Sequence, residues 1–321
     1  MIQHARSLWG ALWWLPPLPW LGYTLALTAA GLVRWDHLVI TALVVAAAYA
    51  SHSTRRFFLH ALPLLLLVLV FDSMRYWIHL GVDGSSILTC SLRDLERTLF
   101  GVRVHGERLT PNQLLARLQT PLLDVLCAVP YGLYLFVLCG HFLYLYFADC
   151  NAARRLAWIA FGTHLLGFVT YRLLPAAPPW YVDAHGCAAD LAATNSPAGL
   201  TRVDALLGVA YFRDLYSRGA TVFGALPSLH AAYPLMGLFA TYHRASLPSR
   251  ALQIAYAALM AFAAIYLDHH WLLDVLLGVL YVALTAFVVT HLLRETETTH
   301  VGCNTSPDAR PAHELARASS P

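Results

Sequence analysis

The chain is patterned in long apolar blocks separated by short polar breaks. A bilayer-spanning helix takes roughly 20 mainly apolar residues. Blocks near 15–33, 37–51, 57–74, 121–147, 156–174, 221–242, 250–267 and 271–293 approach that length. They predict an all-α polytopic membrane protein, a helical bundle of about 7–8 transmembrane helices. The range arises because 37–51 is short and 221–242 is read as starting outside the hydrocarbon. Three regions follow: an N-terminal transmembrane region at 1–55, a membrane domain at 56–293 and a polar tail at 294–321. The tail is rich in Thr, Ala and Pro and is expected to be disordered. The N-terminus lacks a cleavable signal pattern, and more spans follow its first apolar block, which is therefore read as a retained helix. No internal repeat is visible.

Charge placement orients the bundle. Eight spans put the N-terminus, the loops near 52–56, 148–155 and 243–250, and the tail on one side. That side carries Arg6, Arg55, Arg56, Arg154, Arg155, Arg244, Arg250 and Arg294, mostly beside span ends. The positive-inside rule makes it cytoplasmic, with both termini there. The other side, periplasmic or lumenal, holds the long segments 75–120 and 175–220 and the turn at 268–270. Segment 91–118 alternates Leu92, Leu95, Leu99, Leu114, Leu115 and Leu118 with charges; it reads either as a helix lying on the membrane surface or as an ordinary loop helix. Cys90 and Cys187 fall in loops on this same side, a placement compatible with a disulfide whose pairing the sequence leaves open.

Composition agrees with the apolar pattern. Of 321 residues, 58% are hydrophobic and 12% charged, with a mean hydropathy of +0.56; a soluble domain carries about twice that charge. A net charge of +3 is too small to point to nucleic acid. The basic residues are all arginine, with no lysine. No C-x-x-C pair or Cys/His zinc spacing occurs, so a structural metal is not expected. Cys127 and Cys139 lie inside a span and read as small hydrophobes.

Two stretches carry candidate chemistry: Gly224-Ala-Leu-Pro-Ser-Leu-His230 and Tyr266-Leu-Asp-His-His-Trp-Leu-Leu-Asp274. The topology puts both on the non-cytoplasmic side. His270 and Asp274 are four apart and share a helix face. A carboxylate that accepts one imidazole N–H fixes the tautomer and leaves the other nitrogen free to attack. Such a nitrogen takes a phosphoryl group and passes it on, while His230 protonates the departing oxygen and later deprotonates the acceptor. Pro227 and Ser228 look like a helix start, where free amides and the Ser228 hydroxyl would suit a phosphate oxygen. His269 would either touch substrate or cap the turn. Trp271 also fits an interfacial aromatic belt, and His79, His141, His164 and His291 read as structural. A metal cluster of Asp268, His269, His270 and Asp274 is conceivable on spacing alone.

Pro227-Ser228-Leu229-His230 and His270-x-x-x-Asp274 resemble two motifs of the type-2 phosphatidic acid phosphatase superfamily. The resemblance implies a phosphohistidine on His270, oriented by Asp274, with His230 as proton donor. Pro175-Ala-Ala-Pro-Pro-Trp-Tyr181, Ser196-Pro-Ala-Gly-Leu-Thr-Arg-Val-Asp204, Phe223–His230, Asp72-Ser-Met-Arg-Tyr76 and the doubled His269-His270 are similar to the inositol phosphorylceramide synthase branch, the aureobasidin targets. The superfamily's Lys-x6-Arg-Pro motif is not intact, since there is no lysine; Arg172 is its best surviving candidate. Ala263-Ala264 stand where the superfamily has Ser-Arg. Other cations must then offset phosphate charge, and Arg75, Arg172, Arg213 and Arg218 are available on that side. Pro178-Pro179-Trp180-Tyr181 reads as a stiff loop shaping the headgroup pocket.

The resemblance implies a membrane phosphotransferase that moves phosphoinositol from a phosphatidylinositol-like donor to a lipid hydroxyl on a ceramide- or diacylglycerol-like acceptor, with no cofactor and no metal. A partner subunit is not specified. A lipid phosphate phosphatase, with water as acceptor, shares the same residues and is the alternative. A transporter using intramembrane histidines fits less well, because the key histidines sit at span ends.

Overall fold

In a computed structural model the chain is described over residues 2–297. The N-terminal region comprises α1 (Ile2–Trp9), α2 (Leu18–Ala29) and α3 (Trp35–Tyr49), which leads into α4 (His52–Trp77). The Ser51 hydroxyl caps α4 by accepting from the Thr54 amide. Next come α5 (Cys90–Phe100), a hairpin of β1 (Val102–Val104) and β2 (Glu107–Leu109), and α6 (Pro111–Leu115). The long helices α7 (Pro121–Ala148) and α8 (Cys150–Leu173) follow. After α8 lie three short helices, α9 (Pro179–His185), α10 (Thr201–Leu207) and α11 (Tyr211–Tyr216). The chain then returns through α12 (Leu229–Thr241), α13 (Leu247–Tyr266) and α14 (Leu272–Glu297).

The protein is an all-α integral membrane protein. Helices α4, α7, α13 and residues Leu272–Leu293 of α14 are long and apolar enough to cross a bilayer. Several of the other expected spans are shorter than the blocks suggested. Helices α2 and α3 have 12 and 15 residues. The block at 221–242 holds a helix of only 13 residues, about 20 Å of rise against a hydrocarbon core of about 30 Å. Its first eight positions are loop, and Thr221, Val222, Gly224 and Ala225 among them line a pocket, which an apolar count cannot distinguish from a span. Of the polar tail expected at 294–321, the first four residues continue α14 and 298–321 lie outside the described residues.

Helix α8 is the hub. Its Ala152, Ala153, Leu156, Ala157, Ile159 and Ala160 are buried against Leu138, Phe142 and Leu145 of α7, Ala232, Met236 and Ala240 of α12, and Val282 and Ala286 of α14. Small side chains let these backbones approach closely, which is how helices associate inside a membrane. The other end of the bundle is joined by polar ties. Short parallel bridges link Leu88, Ala176 and Gly224. Cys90 and Cys187 form a disulfide, closing the pairing that the sequence left open. Asp124 of α7 takes Arg202 of α10 at 2.7 Å and the Tyr266 hydroxyl at 2.9 Å. The N-terminal region is tied on here too: Asp72 of α4 accepts from Tyr23, Arg34 and His37 at 2.6–3.0 Å and pairs with Arg75 at 2.9 Å.

Candidate active site

The tied end of the bundle brings the two histidine stretches together. Ser228 is the N-cap of α12, its hydroxyl accepting from the Ala231 amide at 3.3 Å, so His230 sits in the first turn of that helix. At the end of α13, Asp268 takes a left-handed backbone conformation (φ +60°), a geometry that Asp tolerates better than most residues. The chain turns there and delivers His269 and His270 just before α14. His230 Nδ1 and His270 Nε2 lie 3.3 Å apart.

The ring environments define the tautomers. His270 Nδ1 is 2.9 Å from the Ala225 carbonyl, which can only accept, so this nitrogen carries the proton. Nε2 of His270 is then a free lone pair, and His230 Nδ1–H donates to it. The Asp274 carboxylate stands behind His270, but at 3.6 Å from Nδ1. Its Oδ2 is taken at 2.8 Å by the Trp271 amide. The expected aspartate–imidazole hydrogen bond is therefore replaced, at hydrogen-bond distance, by a backbone carbonyl. That carbonyl is held by the bridge in which the Ala225 amide donates to Ala176 (3.2 Å). The Pro175–Tyr181 stretch thus orients His270 indirectly, and Pro178 and Trp180 also border the pocket.

Aromatic rings fix the histidines laterally. Tyr131 stacks on His230 (centroids 4.6 Å) and on His269 (5.1 Å), and Tyr216 stacks on His269 at 4.7 Å. Burial and the neighbouring His270 hold His269 down to about 3, so it stays neutral. Trp271 is only 2% exposed and donates to the Ala177 carbonyl at 3.0 Å; it is a core residue, not a belt residue.

The histidines face a cavity of about 370 Å³. Its lining is largely apolar, with Phe71, Met74, Leu135, Phe168 and Leu229, and includes the polar Asn195, Ser196, Thr221 and Arg218. Of the four arginines considered from sequence, Arg218 borders this cavity. Arg75 is engaged by Asp72, Arg172 donates to the Leu80 carbonyl at 2.8 Å, and Arg213 pairs with Asp214 at 3.6 Å; none of these three lines the cavity. Ser228 is fully buried as a cap, and its amide donates to the Asp274 carbonyl at 2.8 Å, so its hydroxyl is spent on α12 and does not face the cavity. Among the described residues, no group of three or more His, Cys, Asp or Glu is arranged to hold a metal ion.

Sequence reasoning missed several residues that shape the site. Tyr131 was hidden in an apolar span. Gly278 of α14 passes so close to α12 that a Cβ there would lie 2.3 Å from the Ser228 carbonyl oxygen. Gly199 faces the Leu267 backbone at 3.0 Å in the same sense, so the Ser196–Asp204 stretch packs directly on the histidine turn.

The bundle and its pocket define a class: a polytopic α-helical membrane protein with two imidazoles from distant segments converging at one end of the bundle. Comparison with known proteins gives the family. A model of the PAP2 superfamily matches residues 105–289, and the chain belongs to that superfamily. It is 36% identical over 264 residues to the phosphoinositol dihydroceramide synthase of Bacteroides thetaiotaomicron, covering 79% of this chain and 84% of that protein. It is 31% identical over 261 residues to the inositol phosphorylceramide synthase of Candida albicans, covering 77% of this chain and 51% of that protein. With the catalytic subunit of inositol phosphorylceramide synthase from Saccharomyces cerevisiae it shares 30% identity over 265 residues, 80% of this chain and 63% of that one. The chain thus spans most of the bacterial relative but less than two thirds of these fungal ones. No solved structure matches it.

Proposed function

We propose that this protein transfers phosphoinositol from a phosphatidylinositol-like donor to the hydroxyl of a ceramide-like lipid, through a phosphohistidine on His270. The observation that carries the proposal is the 3.3 Å approach of His230 Nδ1–H to the His270 Nε2 lone pair at a largely apolar cavity. The relatives named for this reaction support the choice of headgroup and acceptor. The Nε2 lone pair attacks phosphorus, and the bond from phosphorus to the diacylglycerol oxygen breaks. His230 gives its proton to that oxygen. The acceptor hydroxyl then attacks phosphorus as His230 takes back a proton, the P–N bond breaks, and His270 is regenerated.

An in-line displacement puts the attacking nitrogen and the departing oxygen on opposite sides of phosphorus. The two rings must therefore part when the donor enters. Arg218, which borders the cavity, takes the phosphate in this reading. The apolar lining accepts the lipid: Phe71 of α4 and Leu135 of α7 line the cavity and are also 45% and 51% exposed, which supports entry sideways from the bilayer. By the arginine distribution, the site faces the non-cytoplasmic side and both termini the cytoplasm.

The test supplies purified protein in mixed vesicles with inositol-labelled phosphatidylinositol and ceramide. The expected product is a labelled ceramide phosphoinositol, with one diacylglycerol released for each. Release of water-soluble inositol phosphate without a labelled sphingolipid would instead make water the acceptor and end the transferase reading.

A further inference from the structure

The segment between α4 and α7 shows a reversed pattern in α5. Leu95 and Leu99 are 48% and 55% exposed, whereas Glu96 between them is fully buried. An isolated carboxylate is turned inward only where something repays its desolvation. Here the repayment is the start of α14. Glu96 Oε1 accepts from the Leu272 amide at 2.9 Å and Oε2 from the Leu273 amide at 3.1 Å. With Asp274 on the Trp271 amide at 2.8 Å, two carboxylates satisfy three consecutive amides of the first turn, the donors that a helix cannot satisfy internally. Burial pushes the Glu96 carboxyl up, and the two amides draw it back down.

The same segment clamps the turn on its other side. Asn112 of α6 is buried and donates through Nδ2 to the Ile265 carbonyl at 2.8 Å and to the His270 carbonyl at 3.0 Å. The segment is itself anchored: Cys90 opens α5 and is bonded to Cys187, and the Thr89 hydroxyl donates to the Cys187 carbonyl at 2.8 Å. A piece of chain that crosses outside the bundle thus grips the backbone on both sides of His270.

We infer that Glu96 is a positioning residue for the phosphoryl-transfer site: as a cap donated in trans to α14, it sets the register that keeps His270 on the Ala225 carbonyl and opposite His230. The inference rests on the proposed transferase reading for its kinetic arm only. Glu96 touches neither substrate nor the reacting nitrogens, so it acts through the first turn of α14. An anion there also complements the helix dipole.

The experiment compares wild type with Glu96→Gln, Glu96→Ala and Asn112→Asp. Gln keeps the size but offers one acceptor and places N–H groups against an amide donor; Asp at 112 sets acceptors against two carbonyls. Steady-state transfer is normalised to folded protein. A misplacement of about 1 Å at a reacting group costs about 100-fold. We therefore expect kcat to fall about 10- to 100-fold in Glu96→Ala and by less in Glu96→Gln, with the donor KM within about threefold of wild type. Hydrogen exchange at residues 271–274 is expected to rise in all three variants, and this readout stands even if wild type transfers no headgroup. A kcat per folded molecule equal to wild type in both Glu96 variants, a rise in KM alone, or unchanged exchange at 271–274 would overturn the inference. If Glu96→Ala does not fold, Glu96→Gln and Asn112→Asp decide it by the same criteria.

Discussion

Away from the histidines, α8 packs Ala152, Ala153, Leu156 and Ala157 into α7, α12 and α14 mainly through apolar surface, with the buried Arg155 donating to the Ala240 carbonyl at 3.2 Å as a polar exception. At the histidine end the same helices are tied by hydrogen bonds between side chains and backbone: Glu96 on α14, Asn112 on the histidine turn, Asp204 on the amides of Phe212 and Arg213, and Trp271 on Ala177. The difference shows what each end does. Packing of small residues fixes helix spacing but leaves sliding and rotation comparatively cheap. Polar ties are directional, and an unmade one costs the full desolvation of its partner, so they specify where an imidazole points. The far end makes the bundle, and the near end aims two rings within it.

The largest expected effect tests whether the near end performs the chemistry at all. His270→Ala removes the nitrogen that would bond to phosphorus, and transfer should fall at least about 1000-fold. His230→Ala should cost about 100- to 10,000-fold. Both variants should stay folded in detergent with only a modest fall in thermal midpoint, because the packed far end is untouched. If His270→Ala retained substantial transfer, the near end would be a binding surface and the division of labour would fail.

A matched pair of substitutions sharpens the comparison. Ala153→Leu forces three carbons into the far-end core and should cost about 1–3 kcal/mol of stability, read as a lower thermal midpoint, with kcat per folded molecule unchanged. Gly278→Ala adds one carbon where α14 meets the Ser228 carbonyl. It should push α12 away from α14 and lower kcat about tenfold or more, because ring spacing changes. Equal kcat losses for the two would mean that geometry is transmitted along the whole bundle.

The sequence pointed to the paired histidines better than to their support. The meeting of His230 and His270 was legible because the residues around them and their place at span ends are local facts, and the all-α membrane fold was legible because a span is a run of apolar residues. Glu96 was not, because the leucines around it read as the buried or membrane-facing stripe of an ordinary amphipathic helix, and its partners are 176 and 177 positions away. The Ala225 carbonyl is invisible to a reading of side chains, so Asp274 was expected where a backbone group stands. Residues 221–228 are apolar enough to read as membrane, yet they are loop, and four of them line the pocket. In each case the deciding contact is long-range and leaves no period in the chain.

The smallest expected effect concerns a cost that the near end bears and the far end does not. Asp268 opens the histidine turn, and burial, reinforced by nearby Asp183, pushes its carboxyl from 3.8 up to about 7. Between those values the folded protein holds a proton that the unfolded chain has released. Stability contributed by this group is therefore full below 3.8, falls as pH rises to about 7, and is level above that. Asp268→Asn removes the ionisation while keeping a residue that accepts the left-handed backbone, and the carbonyl that takes the Trp180 amide at 3.1 Å is unaffected. The gap in thermal midpoint between Asp268→Asn and wild type should widen in favour of the variant from pH 5 to pH 7.5. Ala153→Leu, carrying no titrating group, should stay at a constant offset from wild type over the same range. A constant offset for Asp268→Asn as well would mean that this carboxyl ionises without cost, and that the turn carrying His270 is wetter than its burial indicates.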